Sequence, residues 1–119
     1  MSSPRFKQLV DDIKTHIKQV SPTEAAAQQA AGAVLIDVRE DSDFAKQHAK
    51  GATHLSKGIV EWKIEETIPD VTKPIVCYCG GGSRSALVAD NLQKMGYTNV
   101  ASMAGGFRAW QEAGLPTQS

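Results

Sequence analysis

The segment from Ile75 to Met95 constrains the fold more than any other. Ile75-Val76-Cys77-Tyr78 is a short apolar run, Cys79-Gly80-Gly81-Gly82 follows, and Ser83-Arg84-Ser85 opens a stretch with Leu87, Val88, Leu92 and Met95 at helical spacing. The apolar run reads as a strand. Consecutive glycines read as a tight turn that tolerates positive φ. The remainder reads as an amphipathic helix over residues 84–95, burying those four side chains and stopped by Gly96 at its C-terminus. A strand that passes through a glycine turn directly into a helix is the first half of a βαβ unit, and such units build parallel sheets.

The same segment carries chemistry. Successive glycine N–H groups turn inward, and the helix adds its unpaired N-terminal N–H groups and the positive end of its dipole. Arg84 brings a full positive charge. Those donors stabilise a thiolate over a thiol, so Cys79 is expected to ionise more easily than a free cysteine. The same cradle suits an oxyanion. Cys79 is therefore the candidate nucleophile, with Gly80, Gly81, Gly82, Ser83 and Arg84 as its anion-binding loop. The competing reading is a buried apolar cysteine before a flexible turn. It leaves unexplained why strand end, thiol, glycine run and Arg-Ser helix start coincide within seven residues. Arg84 either points at substrate or ties the loop down through its carbonyls. Ser83 and Ser85 either donate hydroxyls toward the sulfur or cap the helix, with capping the favoured reading.

Cys77 and Cys79 are one residue apart. A disulfide between them would be strained, and as a metal site they lack further ligands at suitable spacing, so no metal site is expected there. Cys77 reads as a core residue, with a resolving thiol as the alternative.

The 119 residues suffice for one domain with its own core. Zero net charge without like-charge blocks argues against nucleic acid or an anionic membrane as partner. No apolar run reaches membrane-spanning length, and the opening Met-Ser-Ser-Pro-Arg-Phe-Lys-Gln has no signal-peptide core, which points to a reducing cytoplasm.

Elsewhere, Phe6, Leu9, Val10, Ile13 and Ile17 place one apolar face on a helix over residues 4–19, expected to pack on the domain rather than to serve as a docking arm. Ser21-Pro22-Thr23-Glu24 is a capping box that opens an alanine-rich helix ending at Gly32. Val34 to Val38 and Gly51 to Leu55 read as strands. Asp41 or Ser42 caps a short helix through Gln47, and Ser56 to Thr67 forms another. Trp62 in that helix either lines the site entrance or fills the core. Val100 to Met103 is a further strand, and Gly105-Gly106 turns into a last helix with Phe107 and Trp110. The expected fold is α/β, a mostly parallel central sheet of about five strands with helices on both faces and an extra N-terminal helix. Ligands in such sheets sit at the carboxyl ends of strands, where Cys79 falls.

With the loop at Cys79, Asp37-Val38-Arg39, Gly51-Ala52 after His48, and Gly105-Gly106-Phe107-Arg108-Ala109-Trp110 with Gly114-Leu115-Pro116 all in order, the chain resembles a single-domain rhodanese over roughly residues 20–116. His48-Ala49-Lys50-Gly51 stands where the family usually reads His-Ile-Pro-Gly. The N-terminal helix of residues 1–19 lies outside the resemblance and is expected from its apolar face to pack on the domain. The resemblance implies a rhodanese-like domain over 20–119. It implies a thiosulfate sulfurtransferase that moves sulfur from a donor such as thiosulfate to cyanide or a thiol through a persulfide on Cys79, without a cofactor. It makes Asp37 and Arg39 an ion pair bracing the loop. His48 and His54, with no acid or base partner visible in the sequence, are expected to be structural, and Tyr78 to pack in the sheet. A protein sulfur donor or acceptor is the alternative to small anions. A phosphatase or arsenate reductase is the rival enzyme class, but its signature places five residues between Cys and Arg, and here four separate Cys79 from Arg84.

Overall fold

The computed structural model describes residues 3–119. In chain order the elements are α1 (Pro4–Lys14), β1 (Lys18–Val20), α2 (Pro22–Ala30), β2 (Val34–Asp37), α3 (Asp41–Lys46), β3 (His48–Ala49), β4 (Thr53–His54), α4 (Val60–Thr67), β5 (Ile75–Tyr78), α5 (Ser83–Lys94), β6 (Val100–Met103), α6 (Gly106–Glu112) and β7 (Thr117–Gln118). Five strands form one sheet in the order β1-β6-β5-β2-β4, and β3 pairs with β7. Every pairing in the large sheet is parallel; β3 and β7 run antiparallel.

β5 sits at the centre, and all four of its residues are buried. Ile75 and Cys77 face a core with Ile36, Ile64, Val88 and Leu92, contributed by β2, α4 and α5. Val76 and Tyr78 face the other layer, with Ala25, Phe107 and Trp110 from α2 and α6. Helices on both faces explain why the strand reads as a continuous apolar run rather than an alternating one. α1 lies outside this arrangement and packs Val10 and Ile13 against Ala86 of α5. His16, just past α1, places Nε2 2.9 Å from the Asp90 carboxylate of α5.

The expected capping box is present: Glu24 N–H donates to Ser21 Oγ at 3.1 Å and Ser21 N–H to Glu24 Oε1 at 2.8 Å. Other expectations need correcting. The first helix stops at Lys14, not residue 19, because the Thr15 hydroxyl and N–H both turn back to Asp12 O. The chain then enters the sheet as edge strand β1, whose three residues are too few to show a period. Leu9, expected on the buried face, is exposed. So is Met95, which lies at the C-cap of α5 beyond its last packed turn. α3 begins after Glu40 without a side-chain cap from Asp41 or Ser42. α4 begins at Val60, after a turn in which Val60 N–H meets Ser56 O. Trp62 does not fill the core: it is 76% exposed, with Lys63 Nζ 4.6 Å from its ring centroid.

Candidate active site

Cys79 follows β5 at the carboxyl end of the sheet and is 2% exposed. Its loop closes on Gly82, the N-cap of α5, at φ 100°. A Cβ there would approach Gly105 N to 3.1 Å, whereas at Gly80 or Gly81 it would meet open space. Of three glycines that look equivalent in sequence, only Gly82 is demanded by backbone geometry. The turn brings Gly82 N–H to 3.1 Å and Ser85 N–H to 3.4 Å of Cys79 Sγ, with Ser85 Oγ at 3.5 Å. Burial pushes the Cys79 thiol up, but the Ser85 hydroxyl and the N–H groups of Ser85, Gly82 and Gly81 outweigh it, so the net shift is downward. Cys77, on the same face of β5, has no such donors, and burial pushes it up to about 12. That is the chemistry of a core thiol.

The loop is held from below by the start of α6. Phe107 N–H donates to Cys79 O at 2.7 Å and Arg108 N–H to Gly80 O at 3.3 Å. Gly106, at φ 59°, is what permits this approach, since a Cβ there would lie 2.6 Å from Gly80 C and 2.7 Å from Gly80 O. Beside the loop, Asp37 is fully buried and accepts from Arg39 Nη2 at 2.8 Å and Tyr78 Oη at 2.6 Å. Arg39 Nη2 also reaches Gln47 O, and its guanidinium lies 4.3 Å from the Phe107 ring centroid. The ends of β2 and β5 and the start of α6 are thereby locked together. Tyr78, expected only to pack, also bonds this carboxylate. His48 Nδ1 pairs with Phe44 O and His54 Nε2 with Arg39 O, leaving both engaged with backbone.

The polar loop residues separate. Ser85 reaches the sulfur instead of capping the helix; Gly82 caps α5 with no side-chain bond. Ser83 contributes its helical position rather than a bond to Sγ. Arg84 Nη1 lies 3.6 Å from Glu40 Oε1. Sequence reasoning missed three participants. Gly106 was visible only as a turn, Ser102 only as one residue of a strand, and nothing in the sequence marked Glu40 as part of the site. Ser102 Oγ lies 2.8 Å from Ser85 Oγ, and both hydroxyls are buried. A single buried serine in an apolar strand has no periodic or motif signal to announce it. Among the described residues no three His, Cys, Asp or Glu side chains converge as a metal site, and no helix is long and apolar enough to cross a membrane.

A parallel sheet that offers an amide-ringed cysteine at the carboxyl end of its central strand defines a domain built for cysteine anion chemistry. The family model described as the Rhodanese-like domain matches residues 21–113, and the chain belongs to that family. It is 39% identical over 100 residues to the thiosulfate sulfurtransferase GlpE of Haemophilus influenzae, covering 83% of this chain and 92% of that one. Among solved structures, the polysulfide-sulfur transferase homodimer of Wolinella succinogenes superposes with TM-score 0.79 at 30% identity, over 96% of this chain and 87% of that one. A Rhodopseudomonas palustris protein described as of unknown function and a possible tyrosine phosphatase superposes with TM-score 0.88 at 29% identity, over 99% and 98% of the two chains.

Proposed function

We propose that the protein is a thiosulfate sulfurtransferase in which Cys79 carries the transferred sulfur. The observation that carries this reading is the ring of donors on one nearly buried sulfur: the N–H groups of Gly81, Gly82 and Ser85 and the Ser85 hydroxyl. They hold the sulfur anionic without another charged group in contact. The Cys79 thiolate attacks the sulfane sulfur of thiosulfate. A Cys79 S–S bond forms, the bond to the sulfonate sulfur breaks, and sulfite leaves with the bonding pair. The terminal sulfur of the persulfide takes over the negative charge, and the loop amides stabilise it there. An acceptor nucleophile then attacks that terminal sulfur. Cyanide leaves as thiocyanate or a thiolate as a persulfide, and the Cys79 thiolate returns. Gly80 to Gly82 and Ser83 act through backbone, and Arg84 supplies the loop's positive charge.

Thiosulfate is expected to bind weakly. Arg84 is the loop's one cationic side chain, and Glu40 faces it. A thiol persulfide, small or on a protein, suits this rim as well as a dianion does. The phosphatase description of the Rhodopseudomonas structure is the reading to exclude. Four residues separate Cys79 from Arg84, and the donors converge on the sulfur rather than on a wider tetrahedral space above it.

The test is intact-mass analysis after mixing with thiosulfate. The expected result is a gain of one sulfur atom, mapped to Cys79, removed by cyanide and absent in Cys79→Ser. No gain from thiosulfate, polysulfide or a thiol persulfide would overturn the reading, as would a sulfur on Cys77 or turnover of an aryl phosphate.

A further inference from the structure

We infer that Ser102 is a positioning residue for the Cys79 thiolate, holding the Ser85 hydroxyl in the orientation that donates to the sulfur. The inference rests on the reading of Cys79 as nucleophile. It follows from counting hydrogens. Each serine hydroxyl has one hydrogen to donate and two lone pairs to accept with. Ser85 and Ser102 are both fully buried, so neither hydroxyl is served by bulk water, and their oxygens lie 2.8 Å apart.

While Cys79 is a thiol, its S–H can donate to Ser85 Oγ across 3.5 Å, leaving the Ser85 hydrogen for Ser102. Once Cys79 is a thiolate it can only accept. The Ser85 hydrogen must then turn to the sulfur, and the 2.8 Å contact survives only if Ser102 donates to Ser85. The two hydroxyls reverse together. Ser102 keeps its bond to Ser85 in both states, as acceptor while Cys79 is a thiol and as donor once it is a thiolate, and in the thiolate state it polarises the Ser85 O–H that faces the charge. Its placement is fixed by the sheet: Ser102 is the β6 partner of Cys77 in register, two residues before Cys79 on the same face of β5.

The other ionisable groups on the surrounding elements are Cys77 and Tyr78 of β5, Arg84, Asp90 and Lys94 of α5, Glu61, Lys63, Glu65 and Glu66 of α4, Arg108 and Glu112 of α6, and Asp37, Arg39 and Glu40 at and just after the end of β2. β6 contributes none, and none of them hydrogen-bonds Sγ among the described residues. The tuning at this sulfur is therefore done by amides and hydroxyls.

A double-mutant cycle tests this, with thiolate ultraviolet absorbance against pH as the readout for native protein, Ser85→Ala, Ser102→Ala and the double variant. Ser102→Ala is expected to raise the Cys79 midpoint by about half a unit to one unit, the loss of one modest hydrogen bond. In the Ser85→Ala background the same substitution is expected to shift it by less than about 0.3 unit. A Ser102→Ala midpoint equal to native overturns the proposal, and so does an equal shift in both backgrounds, which would mark a packing effect. In either case a low native midpoint leaves Cys79 as the nucleophile. A native midpoint at the ordinary thiol value overturns the reading of Cys79 and this proposal with it.

Discussion

Replacing Gly106 by alanine should damage the site although Gly106 never touches the sulfur. The new Cβ would lie 2.6 Å from Gly80 C and 2.7 Å from Gly80 O. That is roughly 0.8 Å inside ordinary contact, and the obstacle is backbone, which cannot rotate away. Residue 106 also sits at φ 59°, where a side chain costs about 1–2 kcal/mol. Relief requires the start of α6 to withdraw from the loop, which loses the 2.7 Å bond from Phe107 N–H to Cys79 O, worth about 1 kcal/mol. Urea unfolding should therefore report a loss of about 2–3 kcal/mol. Turnover should suffer more. A loop displaced by about 1 Å misplaces the sulfur relative to its donors, and misplacement of that size costs on the order of 100-fold in rate. The assay is thiosulfate:cyanide turnover, measured beside the denaturation curve. A Gly106→Ala protein with native stability and native turnover would refute the claim that α6 holds the loop.

Loop glycines should divide in the same assay: Gly80→Ala and Gly81→Ala are expected to fold with native stability, whereas Gly82→Ala, at φ 100°, should lose about 1–2 kcal/mol; equal losses at all three would contradict the geometry. Asp37→Asn leaves the buried Arg39 guanidinium without its counter-charge and should cost about 3 kcal/mol in urea unfolding, with a native-like curve as the contrary result. The thiolate should also be visible in stability. Cys79 has a folded value below its unfolded one, so between the two the folded state binds fewer protons and stability rises with pH. This contribution is complete above the unfolded thiol value and lost as pH falls through the folded one. Cys79→Ser should lack that slope, and identical pH–stability curves for the two proteins would count against a depressed thiol.

The parts of this molecule legible in sequence are those where one local signal suffices. The buried strand Ile75–Tyr78, the helix after the glycine loop, and the Ser21–Glu24 capping box each follow from residues adjacent in the chain. β1, β3 and β7 were not legible, because two- or three-residue strands exist only through partners distant in sequence. The site divides in the same way. Cys79 and the amides of its loop lie within seven residues, and the sequence displays them together. Gly106 matters through backbone approach to Gly80, and Ser102 through a hydroxyl from a neighbouring strand; both depend on the sheet being assembled. Arg84 shows the limit from the other side. Its charge was evident, but its pairing with Glu40 depends on where β2 ends relative to α5.

The most direct measurement of the underlying claim is the alkylation rate of Cys79 by iodoacetamide as a function of pH. Cys77, buried and pushed up to about 12, stays silent throughout the accessible range, so the profile reports one sulfur. With amides and the Ser85 hydroxyl holding Cys79 as a thiolate, the rate should reach its plateau below the ordinary free-thiol range of about 8.5. A rate that is still climbing through that range would mean the loop does not stabilise the anion, and the sulfur-transfer account would fail with it.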